Sequence, residues 1–402
     1  MINIEDYRNI TSINNVTILH GDRDYYFLHQ KNTGQNQLDY YVKNKLVDKG
    51  VLKNYLDNIE NNAYLSSKYN FQYVHMICES KEIAHKNIIK EYSGLELHSI
   101  VTNQHLLSEV IYPQLDPKDY YVGDSHNNSR GALKQCIAVI KKLGLALPHF
   151  TPEYTEYELL NGDLASKLGI EKTKEVKLDK LKGAQEPDIS AFRLSEFMVG
   201  NSGNIQYIYN SRAFFQKRLL CFADSFVGSH LEVYSLFFEE VILLRSPFII
   251  ESIIVALEPD YVLTSNAERY LVTVPLFSKT PWFLNYLQVG KIKRSFTDRE
   301  LVFLRGLFEG RNSSEMQTWR EKHRTNLPVG LTPDEYLLEH IKNQRDLEVI
   351  VKLAVKNENS DLNLSRKLMK LACEFNPEGE FIRKKLESYN FKTINSPSHR
   401  LL

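Results

Sequence analysis

The 402-residue sequence lacks several features that would mark a specialised class of protein. It has no net charge, because 50 lysine and arginine residues balance 50 aspartate and glutamate residues. No overall field therefore draws the chain to nucleic acid or to an anionic membrane. Its apolar runs are interrupted by charges well before the roughly 20 residues that span a bilayer. The N-terminus, MINIEDYRNITSINN, has no basic segment followed by an apolar one. We expect a cytoplasmic protein without a nucleic-acid partner or a transmembrane segment.

Cysteine is also scarce, and the four residues, Cys78, Cys136, Cys221 and Cys373, form no Cys-x-x-Cys pair. Three of them lie in apolar runs, where a reduced thiol packs like a small hydrophobic side chain. This usage is typical of a reducing compartment. No His-x-x-x-His pair and no glycine-rich phosphate loop is present. The sequence thus predicts no metal site and no bound cofactor. Most histidines, His230 among them, are expected to be surface residues or hydrogen-bonded core residues and not metal ligands.

The chain does contain a regular alternation of strand and helix patterns. FQYVHMICES (residues 71–80) has the apolar density of a buried strand and is followed by helical spacing. Farther along, KRLLCFA, VILLR and PDYVLTSN are strand-like, and SHLEVYSLFFEE and FIIESIIVALE between them are helix-like. This order predicts an α/β fold in which helices flank a parallel sheet. Functional groups in such a sheet are expected at the carboxyl ends of its strands.

Two domains are predicted, residues 1–290, with a core at about 70–275, and an all-helical C-terminal module over 297–402. The last part of the module looks like two helical hairpins, and its Asn-Pro is similar to the helix end of tetratricopeptide-like units. A helical cap or a dimerisation appendage explains the same pattern. Residues 171–190 are polar and predict a loop or insertion. A helix is predicted over 130–143, with Ser129 as its N-cap and Gly144 just past its end.

Ser225 is the candidate nucleophile. It lies in FADSF (residues 222–226), where the strand KRLLCFA meets the start of a helix. A serine at this junction exposes its hydroxyl at the edge of the sheet, and the backbone N–H groups that follow, beginning at Phe226, can face a developing oxyanion. The alternative is a serine that only caps the helix.

Asp124 and His126 are the candidate partners of the nucleophile. An aspartate two residues before a histidine can accept the Nδ1–H across a loop, which leaves Nε2 free to take a serine proton. The alternative is an aspartate that caps the following helix beside a solvated histidine. Ser125 is a competing nucleophile, because Gly123-Asp124-Ser125 spells the GDS of ordinary GDSL hydrolases. That interpretation requires a later Asp-x-x-His pair, which the sequence does not contain.

These residues belong to an ordered set of motifs. YVGDSHNNSRGA (121–132) resembles the YYxxDxHWNxxGA signature of the alginate O-acetyltransferase group of SGNH hydrolase-like proteins, in which Asp-x-His precedes the serine. Further similar segments, over about residues 18–275, are GDRDYYFL (21–28), ESKE (79–82), NGDL (161–164), FADSF (222–226) and the stretch from PD (259–260) to AERYL (267–271). Two departures are Asn127, where the group has tryptophan, and Ala223, where it has glycine.

The resemblance implies an SGNH/flavodoxin-like sheet with Ser225 as nucleophile, His126 as general base and Asp124 orienting the histidine. It implies O-acetylation of a carbohydrate, such as a surface or capsular polysaccharide or its precursor. In the expected cytoplasmic location acetyl-CoA is the natural acyl donor, and the protein could associate with membrane-bound polysaccharide machinery. Phe226, Asn127 and Arg269 are the candidate oxyanion or substrate residues, and the helical module is a possible protein-binding surface.

Two other functions fit the same sequence. An esterase would use the same triad with water as the acceptor. A non-catalytic glycan-binding or scaffolding protein would keep an SGNH-like core without turnover. The complete set of aspartate, histidine and serine favours an enzyme over this last alternative.

Overall fold

The computed structural model describes residues 7–28, 37–42, 48–103, 110–193, 204–246, 249–272, 274 and 347–394. The chain divides into two compact units. The first comprises Met1–Phe192, Ile205–Ile249 and Pro259–Phe277, and the second comprises Arg193–Asn204, Ile250–Glu258 and Ser278–Leu402. Residues 275–346 lie outside the described part of the chain, so a domain boundary between 290 and 297 stays a prediction.

A six-stranded mixed sheet dominates the fold. Its strands are β4 (Gln72–Cys78), β7 (Ile189–Arg193), β8 (Ile205–Asn210), β9 (Phe215–Ala223), β10 (Phe238–Leu244) and β11 (Tyr261–Ala267). Their order across the sheet is β4-β11-β9-β10-β8-β7. β4, β11, β9 and β10 are parallel, as predicted, whereas β8 is antiparallel to β10. The prediction of a fully parallel sheet is therefore wrong at this edge. Only residues 211–214 join β8 to β9, and a parallel arrangement needs a crossover of a dozen or more residues.

Two smaller sheets accompany the central one. One is formed by β1 (Ile10–Ile13), β2 (Val16–His20) and β3 (Asp24–Leu28), and the other is the hairpin of β5 (Thr151–Leu160) and β6 (Lys172–Lys182). β6 replaces most of the loop predicted over 171–190. Only Glu175 and Leu181 of this strand are buried. The apolar alternation that marks a half-buried strand is therefore missing from its sequence.

The helices of the first unit and of the segment that precedes β11 are mostly short. They are α1 (Gln37–Val42), α2 (Lys49–Tyr69), α3 (Lys81–Ala84), α4 (Lys86–Ser93), α5 (Ile100–Asn103), α6 (Ser129–Lys142), α7 (Ser225–Gly228), α8 (Leu231–Ser235) and α9 (Glu251–Leu257). α6 ends before Gly144, which has φ +69°. Its N-cap is Asn128 rather than Ser129, because the Asn128 side chain accepts hydrogen bonds from the N–H groups of Arg130 and Gly131. The Ser129 hydroxyl accepts one from the N–H of Leu178 in β6 instead.

The central core lies on the sheet and includes Cys136 and Val139 of α6 with Leu219 and Cys221 of β9. Each fully buried side chain of this size contributes about 1.5–3 kcal/mol through removal of apolar surface from water. A second cluster joins the small N-terminal sheet to the neighbouring helices. These two apolar clusters pack around the central sheet and fix the positions of the carboxyl ends of β4, β9 and β11.

The second unit contains three consecutive C-terminal helices. They are α10 (Leu347–Asn357), α11 (Leu362–Phe375) and α12 (Glu380–Ile394), and α11 packs against both of the others. α11 is capped at its start by Asp361 and ends at Phe375, with Asn376 as its C-cap before the proline, as the Asn-Pro pattern predicted. The helical character of the C-terminus is thus present, and its tetratricopeptide-like nature stays a prediction. Across the described ranges, none of the helices combines the length and the apolar character needed to cross a membrane.

Candidate active site

Ser225 is placed by the end of β9 and by the cap of α7. The strand ends at Ala223, and one carboxylate oxygen of Asp224 accepts a hydrogen bond from the N–H of Phe226 at 3.0 Å. The other oxygen accepts one from the N–H of Ala267, at the end of β11, at 2.6 Å. Asp224 therefore ties the start of the helix to the neighbouring strand. Ser225, the first residue of α7, lies half-buried at the carboxyl edge of the sheet.

The structure brings the three predicted site residues together. His126 Nδ1 lies 2.6 Å from Asp124 Oδ1, and His126 Nε2 lies 2.8 Å from Ser225 Oγ. The serine and the histidine are 99 residues apart in the chain. The His126 and Asp124 side chains are 17% and 18% exposed, so the group is shielded from bulk water yet reachable from solvent.

The electrostatics of Asp124 suit an orienting role. Burial raises the pKa of this carboxyl. Hydrogen bonds from the His126 ring and from the backbone N–H groups of Asp163 and His126 lower the pKa by more than burial raises it, so the pKa lies below its ordinary value. An ionised Asp124 can only accept, so His126 Nδ1 carries the proton and Nε2 presents a lone pair to the serine hydroxyl. This arrangement can remove a proton from Ser225.

Two buried charges hold the loop that carries Asp124. Lys81 Nζ donates to the carbonyl oxygens of Val122 and Asp124, each at 3.0 Å. The Glu175 carboxylate accepts from the N–H groups of Val122, at 2.9 and 3.0 Å, and of Gly123, at 3.1 Å. Burial lowers the pKa of Lys81 to about 8, against the attraction of Glu175. A charge of each sign thus binds the peptide groups of one loop, and charge-assisted hydrogen bonds are the stronger kind.

A second segment, residues 161–165, fastens the same loop from another direction. The N–H groups of Leu164 and Ala165 donate to the carbonyl oxygen of Gly123 at 3.1 and 2.9 Å. The backbone N–H of Asp163 donates to Asp124 Oδ2 at 3.0 Å. Gly162 lies so close to Gly123 that a Cβ atom at position 162 would overlap the Gly123 carbonyl oxygen. The glycine is needed here for close approach of two backbones.

The competing nucleophile Ser125 has a different environment. Its hydroxyl donates to Asp163 Oδ2 at 2.6 Å, and its N–H donates to Asp163 Oδ1 at 2.7 Å. Because the Asp163 carboxylate accepts both the N–H and the hydroxyl of Ser125, it fixes the position of the loop at this residue. The imidazole Nε2 of His126 faces the Ser225 hydroxyl instead.

The three predicted oxyanion or substrate residues have different surroundings. Asn127 is fully buried, and its side-chain amide points to Gln135 of α6 at 3.3 Å, which keeps it from any substrate. The N–H of Phe226 is already bonded to Asp224. The Arg269 guanidinium stacks on the Phe226 ring, 5.1 Å from its centroid, and so brings a cation next to the helix that begins at Ser225.

Several site residues were not identified from the sequence. Glu175 lies in the segment predicted as a loop, and its partners are backbone groups that no motif reveals. His230 is buried, and its Nε2 donates to the carbonyl oxygen of Asn127 at 2.6 Å while its ring stacks on Tyr121. It supports the residue next to His126. Lys81 and Asp163 belong to segments that resemble family motifs, and this was the available signal.

One group of side chains in the described ranges could hold a metal ion. Ligand atoms of Asp124, His126 and Asp163 lie within 4.8 Å of one another. The hydrogen bonds already described occupy them, because Asp124 and Ser225 bind the two ring nitrogens and Ser125 binds Asp163. A metal would have to replace these contacts, so the donor set fits an acid–base site better than a metal centre.

No protein-family model and no curated protein matches the sequence. Several solved structures are similar to part of the chain, among them the following three. A DHHW family protein from Eubacterium siraeum is 12% identical, with 66% of this chain and 95% of that chain covered and a TM-score of 0.43. PatB1 of Bacillus cereus is 13% identical, with 64% and 97% covered and a TM-score of 0.42. The O-acetyltransferase domain of Pseudomonas putida AlgJ is 12% identical, with 67% and 98% covered and a TM-score of 0.36.

Proposed function

We propose that this protein is an enzyme that catalyses serine-dependent acyl transfer, most specifically O-acetylation of a carbohydrate. The observation that supports it is the continuous chain of hydrogen bonds from Asp124 through His126 to Ser225, at 2.6 and 2.8 Å. Distances of about 2.6–3.2 Å between nucleophile and base are those of serine enzymes. In this proposal Ser225 is the nucleophile, His126 the general base and Asp124 the orienting carboxylate.

The proposed reaction has two steps. In the first, His126 Nε2 takes the Ser225 proton while Oγ attacks the carbonyl carbon of an acetyl thioester. The C–S bond then breaks, His126 returns the proton to the departing sulfur, and an acetyl ester remains on Ser225. In the second, His126 takes the proton of a sugar hydroxyl, whose oxygen attacks the acetyl carbon. Ser225 leaves and receives that proton, so the acetyl group ends on the sugar.

Acetyl-CoA as donor and a carbohydrate as acceptor are parts of this proposal that rest on the resemblance of the motifs. Arg269 is the group proposed to stabilise negative charge in the transition state, since it is the cation adjacent to α7. Hydrolysis of the acyl-enzyme by water would give an esterase with the same triad.

The first prediction tests the nucleophile. Incubation of the wild-type protein with acetyl-CoA or p-nitrophenyl acetate is expected to add one acetyl group, measured by intact-protein mass spectrometry. Ser225→Ala should show neither the added mass nor turnover, because the attacking oxygen is gone. Ser125→Ala is the matched control and should keep most activity, since its hydroxyl contacts Asp163 and not His126. Inactive Ser125→Ala together with active Ser225→Ala would reverse the assignment.

Transfer and hydrolysis are distinguished by the acceptor. With p-nitrophenyl acetate as donor, addition of a polysaccharide or oligosaccharide acceptor should move acetate from water to sugar, detected as acetylated glycan. Release of free acetate at an unchanged rate, across a panel of acceptors, would support the esterase alternative.

A further inference from the structure

A cleft lies beside the loop that carries Asp124, and none of the three proposed triad residues is part of its wall. Its volume is about 200 Å³, and its wall is formed by β3, α3, the segment from residue 117 to 122, the start of α6 and β6. It is smaller than the roughly 300–1,000 Å³ of pockets that take drug-sized ligands. A compact ligand therefore fits it best.

The wall of the cleft carries an excess of positive charge. Five cationic residues line it, namely Arg23, Lys81, Lys118, Arg130 and Lys174, together with two carboxylates. Both carboxylates have other partners, because Asp24 binds the His20 ring at 2.9 Å and Glu175 binds the N–H groups of Val122 and Gly123.

The four cations other than Lys81 form no ion pair with another described residue. In the described part of the chain, no carboxylate lies within 4.0 Å of the charged nitrogens of Arg23, Lys118, Arg130 or Lys174. In addition, the Nε of Arg130 is buried without a hydrogen-bond acceptor, while the guanidinium stacks on Tyr154 at 4.8 Å. A buried donor without an acceptor is costly, and Arg130, which carries this donor, lines the cleft.

We propose that this cleft binds a phosphate-bearing ligand of the size of a monosaccharide phosphate. A phosphoryl group carries a charge of about −1.5 to −2 and three strong acceptor oxygens, which matches a wall with an excess of cations that includes a planar arginine donor. The site is separate from Ser225, and the inference does not depend on acyl transfer.

Lys81 connects the cleft to the proposed active site. It lines the cleft, and its Nζ holds the carbonyl oxygens of Val122 and Asp124. A bound phosphate is therefore expected to act on the same cation that positions the Asp124 loop.

The test is isothermal titration calorimetry of the full chain with glucose 1-phosphate, inorganic phosphate, glucose and galacturonate. Use of Ser225→Ala for all titrations removes turnover, so failure of the proposed reaction and failure of this site are seen separately. We expect binding of glucose 1-phosphate that weakens as salt is raised, weaker binding of inorganic phosphate, and no binding of glucose.

Variants locate the binding in the cleft. Arg130→Gln and Lys174→Gln, each added to Ser225→Ala, should raise the Kd for glucose 1-phosphate at least tenfold. Lys172→Gln is the matched control, because it lies two residues away on β6, outside the cleft, and pairs with Glu158. Three results would overturn the proposal: no binding of either phosphate at millimolar concentration, equal binding of galacturonate, or equal loss of affinity in Lys172→Gln.

Discussion

His126 is held at both ring nitrogens, by a carboxylate on one side and by a hydroxyl on the other. Its ring also packs against Phe226, with centroids 5.1 Å apart, which limits rotation about the side chain. A histidine with a defined tautomer and a defined orientation is prepared for proton transfer before any substrate binds. In the proposed mechanism, Asp124 therefore contributes positioning as well as charge.

Asp124→Asn tests this contribution. The asparagine amide would donate toward His126 Nδ1 and favour the tautomer with the proton on Nε2, which cannot accept from Ser225. Turnover of p-nitrophenyl acetate is expected to fall on the order of 10⁴-fold. Circular dichroism should be unchanged, because the two side chains have the same shape. Activity within a few fold of wild type would show that the hydrogen bond to Asp124 does not set the tautomer.

Glu79 is a buried residue with a consequence for stability. Burial raises its pKa to about 7, hydrogen bonds from the N–H of Leu115 and from Tyr112 oppose the shift, and the nearby Glu268 carboxylate adds to it. The native state therefore holds this proton more tightly than the unfolded state. The stabilisation is complete below the ordinary glutamate pKa of 4.5 and is lost as pH rises through about 7.

Glu79→Gln should remove this pH dependence, because the amide does not titrate. We expect the difference in the free energy of unfolding, wild type minus variant, to decrease between pH 5 and pH 8 in urea titrations. The comparison cancels the titration of carboxyl groups that do not interact with Glu79. A difference that is constant, or that grows with pH, would contradict a raised native-state pKa.

At the scale of elements, the Asp124 loop is held by parts of the chain that are distant in sequence. Lys81 comes from α3, Glu175 from β6 and Asp163 from the segment after β5. The loop has little regular structure of its own beyond the bridge between Tyr120 and Asn127. Its conformation is set by these contacts, so small displacements of its supports should reach the histidine.

Gly162→Ala is expected to show this effect. The new Cβ would overlap the Gly123 carbonyl oxygen and displace the loop that carries Asp124 and His126. A displacement of about 1 Å costs on the order of 10²-fold in rate. We therefore expect kcat to fall ten- to a hundredfold and Tm to fall only slightly. Gly50→Ala, at the start of α2, is a control that should leave kcat unchanged. Unchanged kcat in Gly162→Ala would show that the loop tolerates the shift.

For the whole molecule, the residues of the proposed site lie between residues 81 and 269, whereas the described helices of the second unit, apart from α9, begin at residue 347. Their sequence separation supports the prediction that a chain of residues 1–290 keeps the sheet and the site. We expect this truncated chain to be soluble, to retain its near-UV circular dichroism and to hydrolyse p-nitrophenyl acetate at close to the full-length rate. Insoluble or molten protein would place the boundary elsewhere.

The sequence by itself determined the features that depend on local pattern. Continuous apolar runs predict β4, β9, β10 and β11, because a strand buried on both faces needs apolar side chains at every position. The junction after β9 and the spacing of Asp124 and His126 predict the site, because both are properties of a few adjacent residues. The α/β class and the parallel direction of these four strands follow from the same local signals.

Only the tertiary structure decided the features that depend on distant partners. β6 is a strand because it pairs with β5 and buries Glu175 against the peptide groups of another loop. Asn128 rather than Ser129 caps α6 because the serine hydroxyl is used by Leu178 of that hairpin. The short connection between β8 and β9 makes these two strands run in opposite directions. β10 lies between them in the sheet and is parallel to β9, so β8 is antiparallel to β10. A hydrogen bond can be made with any residue that folding brings near, and local pattern does not encode which residue that is.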